Sequence, residues 1–197
     1  MHEAFLSDQQ LVELALAGSE AACRTLIERY QRPVFSLIYR LVQDHDKAED
    51  LAQETFLKVF RALHQYRPNY KFSSWIFRIA HHEVIAEWRK PELPTVSLNS
   101  SVHSRDEREA FQTALAVTCD RPLPDQQVYN RELAGFIERA IADLRPEYRT
   151  AILLRNEGYS YQDIASIMSV PLGTVKTYIH RARSILMERL ASLRAAA

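Results

Sequence analysis

The chain has 197 residues, enough for one large domain or two small ones, and 47% of them are hydrophobic, enough to give each a core. Lys plus Arg and Asp plus Glu both number 25, so no overall field draws the protein to nucleic acid and any such attraction has to be local. No apolar run is long enough for a membrane span and the first residues lack a signal-peptide pattern. Cys23 and Cys119 have no metal-ligand spacing, so two reduced thiols in a cytoplasmic protein are expected.

Glycine and proline are scarce and apolar residues recur at helical spacing almost throughout, so the sequence predicts an all-α protein. Asp8 to Leu16 gives a short first helix. Ser19 caps a second towards Arg29, and Tyr30, Val34, Leu37, Ile38, Leu41 and Val42 continue its stripe past Pro33, which marks a kink or a boundary. Asp46 and Glu49 read as a capping-box-like start for a helix from Lys47 to about His64. Its buried stripe is Ala48, Leu51, Ala52, Thr55, Val59 and Leu63. The charged run from Asp44 to Glu54 is either a solvated helix start or a partner-binding surface.

Tyr66 to Phe72 (YRPNYKF) is a break rich in aromatic, basic and amide groups. Ser73 is the expected cap of the next helix, with Trp75, Ile76, Ile79, Ala80, Val84 and Trp88 on its apolar side, and Glu83 interrupting that stripe. Exposed rings near Arg and Lys suit unpaired bases and phosphates, whereas the plainer reading of Trp75, Phe77 and Trp88 is as core residues. His81 and His82 are adjacent and point in different directions, a poor metal pair. Prolines, a Ser/Asn cluster and mixed charges then mark a linker, with one helical piece expected from Asp106 to Val117. Two bundles are therefore expected, residues 1–91 and 129–197, joined by a flexible linker over 92–128.

In the second bundle, Leu133 to Leu144 and Pro146 to Asn156 read as helices, the latter ending near Gly158. Ser160 and Asp163 form an S-x-x-D start signal for a short helix with Ile164, Ala165, Ile167 and Met168 on its apolar face. After the break at Ser169 to Pro171, Val175, Ile179, Ala182 and Leu186 face inward. Lys176, Thr177, His180, Arg181 and Ser184 then face outward. A helix-turn-helix needs that division between an anchoring side and a basic, hydrogen-bonding side.

The charge pattern agrees. From Gly173 onwards five basic residues face one acid, Glu188, and from Lys58 to Lys90 seven face Glu83 and Glu87. No Gly-rich phosphate loop, metal-ligand set or nucleophile elbow supports an enzyme, a cofactor or a small-molecule substrate. On these residues alone, a DNA-binding regulator acting through its C-terminal motif and a helical protein-interaction module both remain open.

Two stretches carry a family resemblance. AEDLAQETFLKVFRAL (Ala48 to Leu63) with FSSWIFRIA (Phe72 to Ala80) resembles sigma domain 2. LRPEYRTAILLRNEGYSYQDIASIMSVPLGTVKTYIHRAR (Leu144 to Arg183) resembles sigma domain 4. In that order they resemble the extracytoplasmic-function class of bacterial sigma factors.

The resemblance implies a non-catalytic subunit that binds core RNA polymerase, directs it to promoter DNA and helps open the duplex. It implies that Asp50, Gln53 and Glu54 face the polymerase. Asn69, Tyr70, Lys71, Phe72, Trp75 and Arg78 would engage the minus 10 element, and Thr174, Lys176, Thr177, His180 and Arg181 the minus 35 element. An anti-sigma factor is expected on apolar surface between the bundles. The chain departs from its relatives' pattern at His81 and His82, where Arg-Asn is frequent, and at Tyr178, where Arg is frequent. The mildly acidic linker is either a nucleic-acid mimic or a solvated tether.

Overall fold

The structure, a computed structural model, describes residues 6–90 and 124–196, and every regular element among them is helical. The elements are α1 (Asp8–Leu16), α2 (Glu20–Val42), α3 (His45–Arg61), a 3-10 turn (Leu63–Gln65), α4 (Phe72–Trp88), α5 (Pro124–Ala142), α6 (Pro146–Asn156), α7 (Tyr161–Met168) and α8 (Leu172–Ala196). The helical piece expected at Asp106–Val117 lies outside the described residues, as does Cys119. Cys23 is a half-buried free thiol. The chain up to Arg89 and from Ile137 onwards forms one compact unit, and Lys90–Phe136 forms another.

Local chemistry sets the helix starts. Ser7 begins α1 with a reciprocal cap: its hydroxyl accepts from Gln10 N at 3.3 Å and its own N–H donates to Gln10 Oε1 at 2.9 Å. Ser19 accepts from Ala22 N at 3.2 Å to begin α2. That helix runs through Pro33 without a boundary, because Val34, Leu37, Ile38 and Leu41 continue the buried stripe on its far side. Tertiary burial outweighs the one backbone bond that proline removes.

Two expectations about starts are corrected. The cap of α3 is Asp44, whose carboxylate accepts from Lys47 N at 3.1 Å, so the helix starts at His45 and ends at Arg61 before the 3-10 turn. The stripe survives the shift, with Ala48, Leu51, Thr55, Val59 and Leu63 all buried. Ser73 does not cap α4, which begins at Phe72 behind an uncapped Lys71. The inward face of α4 also differs from expectation. Phe72, Ser74, Ile76, Phe77, Ala80, His81 and Val84 are buried, whereas Trp75 and Ile79 are half-buried and Trp88 is exposed. Glu83 breaks the apolar stripe at its edge, where its carboxylate pairs with Lys58 Nζ at 2.6 Å and fastens α4 to α3.

Helices α1 to α4 pack as one bundle around Leu26, Ile38, Leu41, Phe72 and Ile76. Helices α6 to α8 pack around Leu153, Leu154, Ile164, Ile167 and Ile179.

Of the structural and nucleic-acid-facing roles open to His81, the fold favours the first: it is 6% exposed and its Nδ1 has no hydrogen-bond partner among the described residues. Burial, then the neighbouring His82, pushes its pKa down to about 4. Between pH 6.5 and about 4 the unfolded chain takes a proton that the folded chain refuses. Stability should therefore be level above that window and fall by up to about 3 kcal/mol through it. Urea unfolding from pH 7 to pH 4 should show this loss in the native chain and a smaller loss in His81→Leu. Equal losses in both would contradict the assignment.

Candidate nucleic-acid interface

The C-terminal half of the surface starts from a reciprocal cap. Ser160 Oγ accepts from Asp163 N at 3.1 Å, while Ser160 N donates to Asp163 Oδ2 at 3.2 Å, so α7 starts where the S-x-x-D signal places it. Burial alone would raise the Asp163 carboxyl, but hydrogen bonds from Ser160 and Lys71 hold it below the usual range. Ser169 ends α7 in the left-handed region, φ 55°, with its N–H bonded to α7 carbonyls. Pro171 follows, and its carbonyl accepts from Thr174 N at 2.9 Å as α8 begins.

The second helix divides as its spacing predicts, except that Ser184, expected outward, is half-buried. Val175, Ile179 and Ala182 are buried, Leu186 is half-buried, and Lys176, Thr177, His180 and Arg181 are exposed. Thr174 is half-buried. Thr177 donates its hydroxyl proton to Gly173 O at 3.0 Å, which leaves its oxygen as an acceptor towards solvent. A helix anchored on one side and basic on the other can enter a major groove.

A second surface surrounds the break before α4. Asn69 and Tyr70 are exposed, and the Tyr66 hydroxyl donates to Tyr70 O at 2.6 Å, which holds the loop. Phe72, expected at the DNA, is instead a core residue: its ring lies 5.4 Å from Tyr30 and 5.5 Å from Tyr66. Its side chain anchors the loop because an aromatic ring at the first position of α4 falls on the inward face. Trp75 is half-buried against Tyr66 and Phe72, with one side left to solvent, and Arg78 is exposed.

On α3, Asp50 and Gln53 are exposed, and Glu54 is 42% exposed in a loose pair with Lys58 at 3.7 Å. Leu57, 52% exposed, lies on the same face at i, i+3, i+4 and i+7 spacing from Asp50. This face is acidic, with one exposed apolar side chain. Among the described residues no group of three His, Cys, Asp or Glu could hold a metal ion, and no helix is long and apolar enough to cross a membrane.

Comparison with known proteins agrees with this arrangement. The sigma-70 region 2 model matches residues 26–92 and the sigma-70 region 4 model matches residues 137–186. The chain is 36% identical to RNA polymerase sigma-H factor of Pseudomonas aeruginosa, covering 94% of this chain and 95% of the relative. It is 35% identical to the ECF RNA polymerase sigma-E factor of Salmonella typhimurium, covering 95% and 96%. The chain belongs to the extracytoplasmic-function class of sigma-70 family RNA polymerase sigma factors. Its fold is similar to that of the sigma factor RpoE solved with the anti-sigma factor NepR from Bartonella quintana, with TM-score 0.59, 24% identity and coverage of 85% and 96%.

The region 2 and region 4 helices of this sigma factor pack directly on each other, which the sequence did not predict. Helix α4 lies against α7, and α2 against α6. At the centre of the seam, the rings of Phe77 and Tyr159 meet edge-on at 5.4 Å. Burial pushes the Tyr159 phenol up to about 12, against the opposing hydrogen bond with Ser73. Asp163 accepts from Lys71 Nζ at 3.3 Å and from Ser74 Oγ at 3.4 Å, so the cap of α7 also grips the loop that precedes α4. Arg40 pairs with Glu138 at 2.9 Å and with Glu157 at 4.0 Å. His82 and Ser169 approach at 3.4 Å. The surface between the bundles, expected to receive an anti-sigma factor, is covered by the chain itself.

Arg149 is the residue of this seam that sequence reasoning missed, being only one of several charged positions on α6. Its guanidinium donates to Leu41 O at 2.7 Å, to Leu144 O at 3.2 Å and to Ala142 O, so one side chain serves carbonyls near the ends of α2 and α5. Arg149→Met keeps the stem and removes every donor. It should destabilise the chain by roughly 2–3 kcal/mol in chemical denaturation, in line with hydrogen bonds to a charged group. A change below about 0.5 kcal/mol would show these bonds to be idle.

Proposed function

We propose that this sigma factor binds core RNA polymerase through the α3 face of Asp50, Gln53, Glu54 and Leu57 and directs it to promoter DNA with α8. The carrying observation is the division of α8, whose Lys176, Thr177, His180 and Arg181 face solvent over a buried Val175, Ile179 and Ala182. On this reading residues 129–197 form the domain that takes the minus 35 element, and residues 1–91 the domain that takes the minus 10 element. Asn69, Tyr70, Lys71, Trp75 and Arg78 supply the cations and ring faces that suit a strand being melted. Phe72 supports them from inside. The protein supplies no catalytic residue and works in the cytoplasm, and of the expected linker over 92–128 the described residues 124–128 belong to α5.

The seam gives this function a condition. By their names the two promoter elements lie about 25 base pairs apart, or about 85 Å along B-DNA. A compact unit of about 150 residues has a radius of gyration near 15 Å and is roughly 40 Å across. One closed unit therefore does not reach both elements, and Lys71 is held by Asp163 while it stays closed. Core polymerase has to separate the bundles for both DNA contacts to form, and the free chain binds duplex promoter DNA poorly. An anti-sigma factor acting on this form would hold the closed unit together from its outer surface.

The test is promoter-dependent transcription with purified core polymerase. The native chain should initiate from its own promoter. Asp50→Lys with Glu54→Lys should weaken core binding by at least about 10-fold, since exposed carboxylates are reversed without disturbing the bundle. Lys176→Ala with Arg181→Ala should keep core binding and lose promoter selectivity. Absence of both core binding and promoter-dependent initiation in the native chain would refute the proposal.

A further inference from the structure

Arg181 stands on the exposed face of α8, yet its Nη1 donates to the hydroxyl of Tyr148 at 3.0 Å, reaching across to α6. Tyr148 is 6% exposed. Its ring leans on Tyr178 with centroids 5.5 Å apart, and the Arg145 guanidinium lies 5.7 Å from its centroid. The phenol is thus fixed by packing, and its oxygen is presented to one cation. A free arginine carries about 2 kcal/mol of rotamer entropy, part of which is lost whenever it grips a ligand. A guanidinium already held by a rigid partner loses less on binding, so its contact with the ligand is stronger.

Position along α8 indicates what Arg181 grips. The helix begins at Leu172, which places Lys176 and Thr177 in its first two turns and Arg181 nearly three turns in. In helix-turn-helix docking the N-terminal part of the second helix meets base edges, and residues further along fall on the backbone. Tyr178 explains itself in the same arrangement. Its ring buttresses Tyr148.

We infer that Tyr148 is a positioning residue for Arg181, holding its guanidinium ready for a backbone phosphate at the minus 35 element. This rests on the proposed DNA contact of α8 and adds a residue from outside the helix-turn-helix. Tyr148→Phe keeps the ring against Tyr178 and removes only the acceptor of the hydrogen bond.

The experiment is a double-mutant cycle on promoter binding by the full chain assembled with core polymerase, measured across a salt series. Arg181→Ala should weaken binding for all minus 35 sequences alike and reduce the salt slope by about 1. Tyr148→Phe should weaken binding by about 3- to 10-fold with the salt slope unchanged, because the charge remains. In the Arg181→Ala background, Tyr148→Phe should have no further effect. Core binding, measured alongside, should be unchanged in every variant. If Arg181→Ala binds like the native chain, the proposed contact of α8 at this residue fails and the positioning role falls with it. If Arg181→Ala weakens binding but Tyr148→Phe does not, or Tyr148→Phe costs as much without Arg181 as with it, the DNA contact stands and the positioning role is overturned.

Discussion

Tyr159 closes the turn after α6 and sets its ring edge-on against Phe77 of α4, and the two halves of the described unit meet around that pair. Aromatic edge-to-face contacts of this kind contribute on the order of 1 kcal/mol beyond the area they bury. The polar contacts beside it are individually modest. Lys71 is 70% exposed and its pair with Asp163 is open to solvent, so screening leaves it little net value. Arg149 differs because its partners are backbone carbonyls that helix ends leave unsatisfied. The seam therefore combines a small apolar centre, the Arg149 anchor, the mostly buried Arg40 with its carboxylate partners, and the exposed Lys71 pair. That composition suits the opening proposed for this contact.

Asp163 joins local folding to this seam. Its backbone and carboxylate complete the cap of α7, and the same carboxylate takes Lys71 and Ser74 from the other half. Separating the halves removes two donors from Asp163 and leaves Ser160, so α7 keeps its start. The helix-turn-helix can survive opening as a preformed element.

Elements whose stability is local were legible in the sequence. Ser19 and Ser160 announced their helices, and the period of Val175, Ile179 and Ala182 identified the buried side of α8. Where the sequence misled, two local signals competed. Asp44 and Asp46 can both cap, and it is the Asp44 carboxylate that accepts a backbone N–H, that of Lys47. Ser73 lost its expected place because Phe72 gains more by burial than an exposed cap contributes. The contacts of Arg149, Asp163 and Tyr148 were illegible for a different reason. Each joins segments far apart in sequence, and no spacing rule brings Leu41 to Arg149 or Tyr148 to Arg181.

The proposed promoter binding requires one unit that is closed by itself and opened by polymerase. The most direct measurement is energy transfer between dyes at Glu49 on α3 and Met187 on α8, both exposed, in a chain whose native cysteines are replaced. Closed, the two positions lie within the roughly 40 Å width of the unit, so transfer should be efficient in the free chain. Addition of core polymerase should abolish most of it, as the halves move towards the roughly 85 Å that separates their DNA elements. Weak transfer in the free chain, or efficient transfer that persists in a complex active for transcription, would contradict the account.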